Sequence, residues 1–165
     1  MVTKPKPDFL AILKTLAEHR VDFIVVGGVC AVLHGAPVST FDLDLVHSQA
    51  SDNIERLMSA LGSLDAHYRG QEDRIIKPKQ AHLSSPGHQL LMTRAGPLDL
   101  LGMIGKGRGY QELLKNTVEV QVSTHLKVRI LNLDTLIKVK EETASDRDKA
   151  VLPVLRRTLE EKSRI

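Results

Sequence analysis

The chain has a single cysteine, Cys30, no tryptophan, and only two tyrosines and three phenylalanines among its 165 residues. One cysteine excludes an internal disulfide, and no cysteine–histidine spacing suggests a zinc cluster. So few aromatics argue against nucleic-acid modules that stack bases on aromatic platforms. Apolar runs long enough to span a membrane are missing. The opening stretch "MVTKPKPDFL" lacks the apolar core of a signal peptide, so a reducing cytoplasm is expected. Excess charge is also missing. The formal net charge of +3 is compatible with a phosphate-bearing ligand and establishes nothing more. There is no internal repeat and no low-complexity tract. What remains is a chain of one-domain length with 42% hydrophobic residues, whose core must be built from Val, Leu, Ile and Ala.

Periodicity divides the chain into a mixed α/β order. "PDFLAILKTLAEHR" predicts a helix with Pro7 and Asp8 at its start and Phe9, Leu10, Leu13, Leu16 and Ala17 on one face. "VDFIVVGG" predicts a short strand ending in glycines, and "VCAVLHG" two helical turns closed by Gly35. "FDLDLVHS" predicts a second strand, and "SDNIERLMSALGSL" an amphipathic helix capped by Ser51 or Asp52. Residues 68–87 look irregular, with strand potential at Ile75 and Ile76. "HQLLMTRAGPLDLLGMI" predicts two strands split by Ala-Gly-Pro, "GKGRGYQELLKNT" a glycine-rich loop and a helical turn, and "VEVQV" with "LKVRIL" a hairpin. Two helices close the chain, Pro153 lying in the second.

The chemistry concentrates in "VVGGVCAVLHGAPVSTFDLDLV", residues 25–46. Residues two apart on a strand share a face, so Asp42 and Asp44 project together while Phe41, Leu43 and Leu45 turn to the core. Two adjacent carboxylates resist joint ionisation. A divalent cation removes that penalty, and Mg²⁺ favours hard oxygen ligands of this kind. For the acid pair alone, a solvent-facing strand with incidental acids remains the alternative. Gly27 and Gly28 are placed to let backbone N–H groups approach an anion, and for them alone the alternative is an ordinary turn. The two features occur in series, with Thr40 just ahead of the acids.

Gly27-Gly28, residues 29–41, then Asp42-Leu43-Asp44 resembles the signature of the DNA-polymerase-β-like nucleotidyltransferase superfamily. The fuller string is similar to the small stand-alone bacterial members, including abortive-infection nucleotidyltransferase toxins. The resemblance implies a small mixed β-sheet with helices packed on it and a C-terminal helical pair. It implies a nucleotidyltransferase domain over 1–132, with a helical extension over 133–165 packed on the same domain. It also implies transfer of a nucleoside monophosphate from an NTP such as ATP to an acceptor hydroxyl on tRNA, a protein or a small molecule. Two Mg²⁺ ions, or Mn²⁺, would be held by Asp42, Asp44 and a third acid, with an antitoxin as a further partner. The third acid is best matched by Asp99 in "GPLDLLGMI", although a turn role after Pro97 stays open. Asp65, Asp73 and Asp134 fit worse, Asp134 standing where a helix N-cap belongs.

The resemblance places Gly27, Gly28, Ser39 and Thr40 near the nucleotide, with Lys138 or Lys140 supplying a lysine from the first C-terminal helix. Arg147-Asp148 matches a basic–acidic pair that opens the last helix. The chain departs from the pattern at Val38 and Ser145, where Arg is common. Those departures motivate a runner-up reading, a catalytically silent nucleotide-binding or regulatory module; a structural protein with incidental acids is a third. Lys106 and Arg108 in "GKGRGY" could hold phosphate or lie on a plain surface loop, and the stretch lacks the ending of a Walker A loop. His34 and Cys30 read as packing residues. His47, just past the acids, is a weaker candidate to line the site.

Overall fold

The computed structural model of the chain describes residues 6–71, 73–143 and 145–164. Its helices are α1 (Phe9–Glu18), α2 (Gly27–Leu33), α3 (Ser51–Ser63), α4 (Gln80–Leu83), α5 (Tyr110–Leu113), α6 (Leu133–Thr143) and α7 (Asp146–Ser163). Its strands are β1 (Phe23–Val26), β2 (Leu43–His47), β3 (His67–Tyr68), β4 (His88–Thr93), β5 (Gly96–Leu101), β6 (Thr117–Ser123) and β7 (Leu126–Leu131). They form one mixed sheet in the order β3-β4-β5-β2-β1-β7-β6. β2 pairs parallel with β5 and antiparallel with β1, and β1 pairs parallel with β7. All four residues of β1 are buried, as are four of the five in β2. Central strands without alternation are covered on both faces. No described helix is long and apolar enough to cross a membrane.

The local signals behave as their chemistry requires. Asp8 caps α1, its carboxylate accepting from Ala11 N at 3.1 Å. The buried face of α1 is Ile12, Leu13 and Leu16, however, and Leu10 is half out in solvent. The cap expected at Ser51 or Asp52 falls instead on Ala50, which has no side chain to offer. What pins α3 is Asn53, fully buried. Its amide accepts from Asp22 N at 2.7 Å and donates to Asp22 O at 3.1 Å and Ser48 O at 2.8 Å. At α6 the side chain that accepts from the first turn is Asn132, bonded to Thr135 N, while Asp134 lies exposed within that turn.

Two stretches depart from the expected pattern. Ile75 and Ile76 form no strand; Ile76 O accepts from Tyr68 N at 2.9 Å, and the edge of β4 is taken by His67–Tyr68. Phe41 is 74% exposed rather than in the core. The strand starts only at Leu43, so the alternation that buries Leu43 and Leu45 does not reach back to it.

The glycine-rich loop has a structural partner. Arg108 grips Glu142 of α6 with two bonds, Nε–Oε1 at 3.0 Å and Nη2–Oε2 at 2.8 Å, and Lys106 N donates to the same carboxylate at 3.2 Å. The guanidinium hydrogen bonds hold the Glu142 carboxyl down at about 2, against a smaller opposing effect of burial. A carboxyl depressed by folding stabilises above its ordinary value of 4.5, and that stabilisation is lost as the pH falls through the folded value. Glu142→Gln should therefore lower Tm at pH 7, with the gap from wild type closing as thermal melts are run toward about pH 2.

Candidate active site

β2 and β5 run side by side in parallel, with Asp44 directly opposite Asp99. Asp44 is also opposite Val26, the last residue before the glycines. Asp42 lies in the bend just before β2, and its carboxylate joins the same cluster. One ligand oxygen from each of the three carboxylates lies within 4.8 Å of the others. The expected third acid is thus in register with Asp44 and clustered with both, and Asp65, Asp73 and Asp134 do not join the cluster.

This packing is electrostatically costly. Burial, then the negative charges of Asp42 and Asp99, push the Asp44 carboxyl up to about 8, with Lys140 opposing. Asp99 is also raised, first by burial and then by Asp42, against the pull of Arg69. Only hard oxygen donors converge, with no histidine or cysteine among them. That donor set fits Mg²⁺ or Mn²⁺.

The acids open onto a cleft of about 290 Å³. Gly27, Gly28 and Ala31 of α2 form one wall, and Val38, Ser39 and Thr40 the loop beside them. Lys140 of α6 and Arg147, Asp148, Val151 and Leu155 of α7 form the other. Gly27 lies so close to Asp44 that a Cβ there would overlap the carboxylate, and a Cβ on Gly28 would come within 2.8 Å of Thr40 Cβ. The glycines therefore bring backbone against the acids. The Thr40 hydroxyl donates to Asp42 O at 3.0 Å, which fixes the approach to β2.

Of the two candidate lysines on α6, the one in the cleft is Lys140, bonded to Asp148 at 3.1 Å. Lys138 is exposed and outside it. Lys106 and Arg108 do not line the cleft either; Arg108 is held by Glu142. Ser145, where the pattern has Arg, caps α7 by accepting from Asp148 N at 3.1 Å. A cation comes instead from Arg147, exposed on the cleft wall.

His47 sits on the opposite face of β2, its Nε2 bonded to Leu83 O at 2.8 Å, and so does not line the cleft. Cys30 is fully buried, and burial pushes its thiol up to about 12, as a core residue requires. His34 Nε2 bonds to Leu131 O at 2.7 Å, a packing contact.

One participant had no sequence signal. Arg69, at the end of β3, places Nη2 2.5 Å from Asp99 Oδ1. It lies in an irregular stretch, 30 residues away in sequence, and only the β3-β4-β5 pairing brings it over the acid.

No protein-family model and no curated protein sequence matches the chain. Solved structures do. A provisionally assigned nucleotidyltransferase from Thermotoga maritima superposes with a TM-score of 0.57 at 16% identity, covering 93% of each chain. The lincosamide antibiotic adenylyltransferase LnuA, with lincomycin bound, superposes with a TM-score of 0.59 at 11% identity, covering 90% of this chain and 94% of its own. The chain has the nucleotidyltransferase fold. At such low identity the likeness concerns architecture alone. Within this nucleotidyltransferase fold, Asp42 just ahead of β2, Asp44 of β2, Asp99 of β5 and the glycines of α2 meet at one cleft.

Proposed function

We propose that the chain is a divalent-metal-dependent nucleotidyltransferase. It would move a nucleoside monophosphate from an NTP to an acceptor hydroxyl and release pyrophosphate. The observation that carries this reading is the carboxylate triad: Asp44 opposite Asp99, with Asp42 alongside, beside a glycine pair. Incidental acids on a solvated strand would not be gathered at such electrostatic cost.

Asp42, Asp44 and Asp99 would hold Mg²⁺ or Mn²⁺, two ions in the full complex, which would acidify the attacking hydroxyl and neutralise the leaving oxygens. The remaining work falls to the chain. No side chain caps the first turn of α2, so its N–H groups are available to phosphate oxygens beside Gly27 and Gly28. Lys140 and Arg147 place positive charge on the facing wall, and Ser39 lies exposed on the loop between. Asp99, on the strand across β2 from the glycines, would accept the proton of the acceptor hydroxyl. Catalysis would rest on positioning and charge stabilisation. The C-terminal pair would act as part of the same domain, because α6 and α7 supply one wall.

The test is transfer from α-labelled ATP, CTP, GTP and UTP, with Mg²⁺, into RNA, protein and hydroxylated small molecules. Label should transfer with at least one NTP and vanish on chelation. Labelling of RNA or protein, with growth arrest on expression, would match the toxin-like members the sequence resembles, and an antitoxin would then be sought. Labelling of a small molecule would match a role like that of the lincosamide enzyme. Binding of NTP with no transfer to any acceptor would sink the proposal and favour the silent regulatory module.

A further inference from the structure

Arg69 is, among the described residues, the one cation that forms an ion pair with the triad. The pair is well sheltered: the Asp99 side chain is 10% exposed and that of Arg69 26%. Arg69 has two further anchors: the same guanidinium donates through Nη1 to Leu91 O at 2.9 Å, and its backbone N donates to Leu90 O at 3.0 Å. This anchoring makes it a fixed feature of the β3–β4 edge rather than a loose surface contact. Of the two other cations lining the cleft, Lys140 is bonded to Asp148 and Arg147 is exposed to solvent.

We propose that Arg69 is the built-in counter-ion of Asp99 and that it limits the nucleotide-free site to a single divalent ion. This inference rests on the nucleotidyl-transfer reading. The reasoning is charge balance in a half-buried cleft. Three carboxylates, one guanidinium and one divalent ion together carry no net charge. A second ion would enter a neutral site whose third carboxylate already has one oxygen engaged, so nothing offsets its loss of hydration. An incoming triphosphate restores the negative charge, and the second ion then binds with it. Arg69 thereby makes assembly of the full metal site conditional on nucleotide. It acts as a positioning residue, through Asp99, and touches neither substrate by this argument.

The test is Mn²⁺ titration followed by the electron paramagnetic resonance signal of free Mn²⁺, with no turnover required. Wild type should bind one ion per chain alone and two with a non-hydrolysable triphosphate analogue. Arg69→Gln should bind two ions without nucleotide, its second site tightened tenfold or more. Arg69→Lys, which keeps the charge, should stay at one, and the double variant R69Q/D99N should return to one. Two ions on nucleotide-free wild type would overturn the proposal without any variant, and so would identical titrations of wild type and Arg69→Gln. Wild type that binds no Mn²⁺ even with the analogue would overturn the parent reading as well; one ion on both wild type and Arg69→Gln would overturn only the role of Arg69.

Discussion

Asp42→Asn and Asp44→Asn, made singly, should each cut nucleotidyl transfer by about three orders of magnitude or more, while the protein still folds. In the proposed site the two carboxylates would be paired oxygen ligands, and the amide that replaces one keeps the shape and removes the charge. The stability effect should run the other way. Folding raises the Asp44 carboxyl from an ordinary 3.8 to about 8, so the folded state holds a proton that the unfolded chain releases. A raised carboxyl gives stability that is full below its unfolded value and is lost as the pH rises through the folded one. Metal-free wild type should therefore become less stable between about pH 4 and pH 8, and Asp44→Asn should show a much smaller fall, the remainder coming from the raised Asp99. At pH 8, without metal, Asp44→Asn should melt higher than wild type, and Mg²⁺ should raise the wild type selectively. Scanning calorimetry with and without chelator, beside the transfer assay, reads both effects. An active Asp44→Asn would contradict a role for Asp44 in holding the metal.

Gly27→Ala should be nearly as damaging, for two separable reasons. Gly27 has φ +66°, a left-handed conformation that costs about 1–2 kcal/mol for a residue with a Cβ. For a chain of this size that amounts to a fall in Tm of about 2–8 °C. The added methyl would also occupy the position of the Asp44 carboxylate, which must then move. A carboxylate shifted by an ångström no longer converges with its partners, so transfer should fall by about a hundredfold. Gly35→Ala separates the two causes. Gly35 has φ +92°, yet a Cβ there would meet nothing within 4 Å. It should lose stability to a similar degree and leave transfer intact. Equal losses of activity in the two variants would show that strain alone, and not the crowding of Asp44, explains Gly27.

Much of this protein is legible locally. Apolar spacing and turn residues mark the principal helices and strands, because burial of one helix or strand face is a property of neighbouring residues. The glycine pair is legible as a break at the end of an apolar run, and the Asp42–Asp44 pair as two acids two residues apart; that Asp42, in the bend before β2, still meets Asp44 is decided by the folded chain. Asp99 could be picked out as a lone acid in an apolar strand. That it stands opposite Asp44 depends on β2 pairing with β5, a contact between segments more than fifty residues apart. The choice of Lys140 over Lys138 depends on which side of α6 meets the cleft. The grip of Arg108 on Glu142, the exposure of Phe41 and the buried bonds of Asn53 likewise have no local signature. Arg69 is the clearest case: an arginine in an irregular stretch looks like any solvated charge. Sequence alone determined which residue types could do the chemistry, because side-chain direction along an element follows from backbone geometry. Tertiary structure alone decided which of them meet and which charges are paired, because those depend on long-range strand order and on burial that no short window of sequence contains.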